Sequence, residues 1–202
     1  SSTNWGTASN WTGNTVPGVD ATIEFHPSPV RDCIMDIDRS VTDIINAQGT
    51  YNIITNGKKL TIKGNLVFSN GAKINASATG SELIFAGNLP QNIAAGVLAN
   101  NEVYNLTVNN PNNVTLNGTI RLLNNITAQS GQFDAYSNTP TIIFAGTALQ
   151  NINEGIFRDA KAQTFTIDNG TGVQLNTNFI LNNNLNINSG KKFIISATKT
   201  LR

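Results

Sequence analysis

The five residues Leu83-Ile84-Phe85-Ala86-Gly87 return as Ile142-Ile143-Phe144-Ala145-Gly146, an offset of 59, and the register then holds without a gap for 49 pairs, 18 of them identical. Gln91-Asn92-Ile93 falls on Gln150-Asn151-Ile152, Gly96 on Gly155, and Val114-x-Leu116-Asn117 on Val173-x-Leu175-Asn176. Leu122-x-Asn124-Asn125 falls on Leu181-x-Asn183-Asn184, and Ser130-Gly131 on Ser189-Gly190. A fainter first copy opens at Ile23-Glu24-Phe25, with Asn56-Gly57 in the place of Asn117-Gly118. Two stretches so alike must meet the same local surroundings, so the fold is built by repetition. The units run over about residues 21–81, 82–140 and 141–200, leaving 1–20 outside the repeat.

Inside each unit the hydrophobic period is two. Leu106/Val108, Val114/Leu116, Ile120/Leu122, Ile126/Ala128 and Phe133/Ala135 are matched by Phe165/Ile167, Val173/Leu175, Phe179/Leu181, Leu185/Ile187 and Phe193/Ile195. Such pairs predict short strands with one buried and one wet face. Asn-Gly, Asn-Asn, Ser-Gly and Asn-Pro between them supply turns, because Asn and Gly tolerate positive φ. The best helical stretch, Leu89 to Ala99, is interrupted by Pro90 and Gly96. The chain is therefore all-β. A sandwich or barrel wants longer strands and hairpins, whereas these copies align directly with one another. The pattern predicts a right-handed parallel β-helix (a β-solenoid), with about three coils of 20 residues per unit and about nine in all.

Composition fits that reading. Only 12% of residues are charged, 13 Lys and Arg against 12 Asp and Glu, for a net charge of +1. A chain this neutral has no electrostatic footprint for nucleic acid or an anionic membrane, and no apolar run approaches a bilayer span. Asparagine is the commonest polar residue at 32, with 23 threonines. At solenoid corners, asparagine amides are expected to stack in ladders from coil to coil.

Residues 1–20 hold both tryptophans, in Asn4-Trp5-Gly6 and Asn10-Trp11-Thr12-Gly13. A solenoid exposes its apolar column at each end, so this segment is expected to cap the β-helix of residues 21–202. The other end shows no equivalent device, and a further domain or another molecule is expected to cover it. For chemistry the sequence offers little. Asp36 and Asp38, at i and i+2, are expected on one strand face opposite Met35 and Ile37, flanked by Arg31 and Arg39. Local charge pairing is the simpler account of them, since a Ca²⁺ site wants six to eight oxygen ligands. Cys33, the lone cysteine, reads as a buried hydrophobe, and His26, between Phe25 and Pro27, as a solvated loop residue. No phosphate loop, zinc spacing or other cofactor motif occurs. For glycan binding, the candidate residues are Trp5 and Trp11 as stacking platforms and the Asp36/Asp38 face.

The unit from Leu83-Ile-Phe-Ala-Gly through Gln91-Asn-Ile, Leu106-Thr-Val-Asn-Asn and Val114-Thr-Leu-Asn to Ser130-Gly-Gln-Phe133 resembles the Asn/Thr-rich β-helix repeats of large secreted surface proteins of Bacteroidetes. Asn10-Trp11 with Val16-Pro17-Gly18-Val19-Asp20 resembles the opening of such regions. The resemblance implies export to the cell surface by a type IX route with a cleavable C-terminal sorting domain, although no such domain is visible in this sequence. Together these readings lead to the expectation of a non-enzymatic structural or adhesive extracellular module. Its expected partners are further copies of itself, end to end or side by side, or surface glycans. A carbohydrate-binding or polysaccharide-processing β-helix is the alternative.

Overall fold

In a computed structural model, residues 3–25, 31–46, 50–69 and 71–202 are described. Among them every pairing between strands is parallel. The chain is an all-β parallel solenoid of about eight turns. Sheet I runs its full height in eight strands, from Cys33–Ile34 to Leu185–Ile187. Sheet II runs from Ala21–Glu24 to Ile126–Ser130, and sheet III from Gln91–Ile93 to Ile180–Leu181. Sheet IV, of Gln150–Ile152, Val173–Leu175 and Phe193–Ile195, takes the place of sheet II in the later turns. From Glu82–Phe85 onward the chain visits the three sides in strict rotation.

That rotation corrects the expected coil count. The 59-residue repeat, from Glu82–Phe85 to Thr141–Phe144, contains eight strands, not nine. At three strands to a turn, this is two and two-thirds turns of about 22 residues. Successive copies are therefore displaced by one side of the solenoid. Glu82–Phe85 lies in sheet II, while its counterpart Thr141–Phe144 lies in sheet I. The larger turn comes from wide corners and from two bulged strands. Ile74 pairs with Leu98 and Ala76 with Val103, so Leu98–Val103 carries three extra residues, and Asn100 and Asn101 have positive φ. Phe157–Ala162 repeats this against Phe133 and Ala135, with Asp159 and Ala160 at positive φ.

The predicted alternation sets the core. In sheet I, Ile120, Ile142 and Phe165 stack in register, as do Leu122, Phe144 and Ile167, and all six are buried. Each such side chain contributes about 1.5–3 kcal/mol by leaving water. Because identical positions stack, the apolar interior is one continuous column, and the aromatic rings within it touch. Phe157 lies 5.8 Å from Phe165 and 5.5 Å from Phe179, centroid to centroid.

Asparagine and aspartate serve the corners in a second way besides the expected ladders. Side-chain oxygens of Asp32, Asp38, Asp43, Asn52, Asn113 and Asn178 each accept the main-chain N–H of a residue 19 to 22 positions on, one coil away. Main-chain donors are left without ladder partners where strands end, and a buried orphan is costly. Amide-to-amide bonds of the expected kind also join neighbouring coils, from Asn124 to Asn105, Asn138 to Asn117, and Asn176 to Asn151 and Asn153. The most enclosed corners use glutamine. Gln91 Oε1 accepts from Gly87 N and Asn110 Nδ2, while its Nε2 donates to the carbonyls of Ile62 and Gly64. Gln150 repeats this with Gly146, Asn169, Leu122 and Asn124.

Two equivalent turns separate backbone strain from steric exclusion. Gly131 and Gly190 have φ of +66° and +71°, but only at Gly131 would a Cβ strike a neighbour, the Asn110 carbonyl. Gly190→Ala is expected to cost about 1 kcal/mol through φ alone. Gly131→Ala is expected to cost about 2 kcal/mol because the clash adds to it. Urea midpoints for the two variants check this, and equal losses would contradict it.

Candidate functional site

The residues singled out from sequence collect at one end of the solenoid. Asn4 forms a parallel bridge with Ile34, and Trp5 N donates to the Ile34 carbonyl, so this segment extends sheet I. Trp5 is thereby drawn into the core and is 1% exposed. Trp11 packs against it with centroids 5.3 Å apart, and its Nε1 donates to the Trp5 carbonyl at 2.6 Å. Phe25 and Tyr51 continue the aromatic row, and the Arg39 guanidinium lies 5.7 Å from the Trp5 ring centroid. A sugar therefore has no open face on Trp5. Trp11 is half-buried, so part of its surface is accessible. The indole N–H of Trp5, Nε of Arg39 and the Tyr51 hydroxyl are buried here without hydrogen-bond partners among the described residues.

Asp36 and Asp38 are near in sequence but do not share a strand face. The strand ends at Ile34 and the chain bends through Asp36 and Ile37, which separates the two carboxylates. Asp36 pairs with Arg39 at 2.6 Å. It also fills the space beside Gly6, where a Cβ would collide with it. Burial works to raise the Asp36 pKa, but Arg39 and the main-chain N–H groups of Asp36 and Ile37 outweigh it and hold the carboxyl below its usual value. Asp38 turns instead to Lys59 N in the next coil, at 2.9 Å. Cys33 is buried as expected, and this pushes its thiol up to about 12, too high to supply a thiolate near neutral pH. His26 lies outside the described residues.

No group of three or more His, Cys, Asp or Glu side chains is arranged to hold a metal among the described residues. A cavity of about 220 Å³ lies where Asp159 and Ala160 overhang the next coil, bounded by Phe179, Ile180 and Arg202. It is smaller than the roughly 300–1,000 Å³ of ordinary small-molecule sites. No protein-family model, curated protein or solved structure matches the chain. Its function must accordingly be argued from its surfaces. No helix among the described residues is long and apolar enough to cross a membrane.

One acid was invisible as special in the sequence. Asp134 is 3% exposed and accepts from Tyr136 N, Ser137 N, Ser137 Oγ and Arg158. Its position three residues before Ser137 was the available signal, since Asp closes such turns onto its own backbone. Burial raises its pKa, but these donors and the Arg158 charge outweigh burial, and the folded value is lowered. A lowered pKa stabilises the fold above the unfolded value of about 3.9, and the contribution is lost as pH falls through the folded value. The urea midpoint is expected to drop on acidification below about pH 4. Asp134→Asn should flatten part of that slope, and an unchanged profile would contradict the assignment.

Proposed function

We propose that this chain is a non-enzymatic structural or adhesive module of the cell exterior, a rod whose work is done by its shape and its uncharged, hydrogen-bonding sides. The observation that carries this reading is how the acids are used. Among the described residues, the Asp and Glu side chains apart from Glu24, Glu154 and Asp159 each make a hydrogen bond or ion pair within the solenoid. Paired carboxylates poised for acid and base work need separated pKa values and room for substrate between them, and these acids are committed to neighbouring coils instead. Sequence resemblance to secreted surface repeats supports placing the module outside the cell. The polar faces, rich in Asn and Thr, favour adhesion through many weak hydrogen bonds over one tight site.

Two assays test this. Reducing-end release from a panel of polysaccharides is expected to stay at the level of heat-denatured protein, and release above it would overturn the non-enzymatic reading. Beads coated with the protein are expected to be retained on cell surfaces in excess of bare beads. A glycan-array signal abolished by Trp11→Ala would replace this proposal with specific glycan binding.

A further inference from the structure

The corner between sheets III and I carries a projecting ledge in the middle of the solenoid. In one coil Asn117 and Gly118 alone join Leu116 to Thr119, and two coils later Gln163 alone joins Ala162 to Thr164. In the coil between them five residues, Tyr136 to Pro140, span the same corner. The strands on either side stay in register, so the extra residues must loop outward. Asn138 and Thr139 take φ of +61° and +51° to do so, a conformation that a β-branched residue rarely adopts. Such strain persists only where its surroundings hold it, and it gathers at binding sites.

The ledge presents an aromatic ring on a fixed backbone. Tyr136 is 40% exposed. Its N–H donates to Asp134 Oδ1 at 3.0 Å, and its carbonyl accepts from Gln163 Nε2 at 2.8 Å. A tyrosine held in this way has only two side-chain torsions left to order on binding. Amides from three coils adjoin it. Asn138 Nδ2 donates to Asn117 Oδ1, and Asn182 Nδ2 to Gln163 Oε1. Among the described residues this leaves Asn117 Nδ2 a free donor, with Asn138 Oδ1 and Asn182 Oδ1 free acceptors. Lys161 Nζ lies 5.8 Å from the Tyr136 ring centroid. It forms no ion pair among the described residues, either with Asp159 on its own strand or with Asp134, which is buried and paired to Arg158.

Resting on the reading of the chain as an adhesive module, we infer that this ledge is a weak binding site for an acidic sugar, a uronic acid unit of a polysaccharide. The C–H face of a pyranose is apolar and slightly positive, which suits the negative face of an exposed aromatic ring. Free amide donors and acceptors match sugar hydroxyls, which both donate and accept. The ammonium selects a carboxylate, because only a charged sugar gives Lys161 a charge-assisted partner. A peptide fits less well, since it would want a free strand edge, and both strands flanking the ledge are paired on each side. An open site of this kind is weak alone, and its strength comes from many copies meeting a repeating polymer.

Saturation-transfer difference NMR, which reads weak binding, tests this on the intact chain. The probes are trimers of galacturonate, glucuronate and mannuronate, each beside its neutral counterpart. The wild type is expected to transfer saturation to at least one uronate trimer. Tyr136→Ala should abolish that signal while leaving the urea midpoint unchanged, because the main-chain bonds of the ledge remain. Lys161→Gln should weaken uronate binding about fivefold, as one exposed ion pair allows, and leave the weaker response of the neutral trimer where it was. No uronate response from the wild type, or one that survives Tyr136→Ala, overturns the proposal. A response lost in Trp11→Ala and kept in Tyr136→Ala overturns it in favour of the N-terminal segment. Neutral trimers bound as well as uronates overturn the assignment to an acidic sugar. The module reading is judged separately: beads retained on cells without any uronate response leave it standing, and sugar release removes it whatever the ledge binds.

Discussion

Replacing Phe157 by alanine is expected to destabilise the protein by about 4 kcal/mol, toward the upper end for a buried aromatic. Phe157 is 2% exposed and touches three other rings, Phe133 at 6.1 Å, Phe165 at 5.8 Å and Phe179 at 5.5 Å. Phe165 belongs to the same turn, but Phe133 and Phe179 lie in the coils before and after it, so the ring acts as a clamp between layers. Truncation leaves a cavity that flanking coils can close only by moving together, and their backbones are fixed by parallel ladders on three sides. In a solenoid, stability is a sum of local terms and nearest-neighbour interfaces. Weakening one interface should therefore also split the unfolding transition. Coils beyond Phe157 already expose Ile180, Ile187 and Ile195, and they are expected to melt first in the variant. Urea unfolding followed by far-ultraviolet circular dichroism should show a second, earlier step. A single transition at the wild-type midpoint would contradict the clamp.

The contrast with what the sequence discloses is instructive. Pairs such as Val114/Leu116 and Val173/Leu175 announce their strands because inward residues two apart are unavoidable when one face is buried. Leu98–Val103 and Phe157–Ala162 hide theirs. Three extra residues separate the inward side chains in each, so Leu98 and Val103, or Phe157 and Ala162, stand five apart and match no simple period. Asn100-Asn101 hints at the bulge through its tolerance of positive φ, but Asp159-Ala160 gives no such sign. The displacement of the repeat by one side is equally silent, because an offset of 59 residues says nothing about how many corners the chain turns. A coil of about 20 residues predicts three full coils per unit, and only the pairing of Thr141–Phe144 with Thr119–Leu122 fixes the fraction. At the N-terminal end, the two tryptophans are legible as candidates to cover the column because large apolar side chains seek the exposed end of a stack, and Trp5 is the one that enters it. The separation of Asp36 from Asp38 was not legible, since an alternation argument assumes a strand where the chain bends.

Gln150 shows how a motif can be visible while its purpose is not. Gln91-Asn92-Ile93 and Gln150-Asn151-Ile152 mark the repeat, yet nothing in the letters says that the glutamines are 5% and 2% exposed. Each amide joins three coils, taking a main-chain N–H from its own turn, donating to two carbonyls of the turn before and accepting an asparagine from the turn after. Because the repeat is displaced by one side, the two knots secure different corners, one between Lys59–Ile62 and Leu66–Phe68 and the other between Thr119–Leu122 and Ile126–Ser130. Gln150→Leu keeps the bulk and removes every one of its bonds, leaving the Gly146 N–H and the Asn124 carbonyl without the glutamine and taking one bond each from Asn169 and from the Leu122 carbonyl, which keeps the Ala145 N–H. Buried polar groups so orphaned cost about 1–3 kcal/mol each, and with partial relaxation the expected loss is about 4 kcal/mol. Gln150→Glu is expected to fall between leucine and wild type, since it keeps the acceptor for Gly146 and Asn169 but sets an oxygen against two carbonyls. Hydrogen exchange gives the sharper readout. Protection at Gly146 should fall in both variants by more than at Gly87, whose own glutamine is intact. Equal loss at the two glycines would mean that the corners act as one cooperative block and not as separate knots.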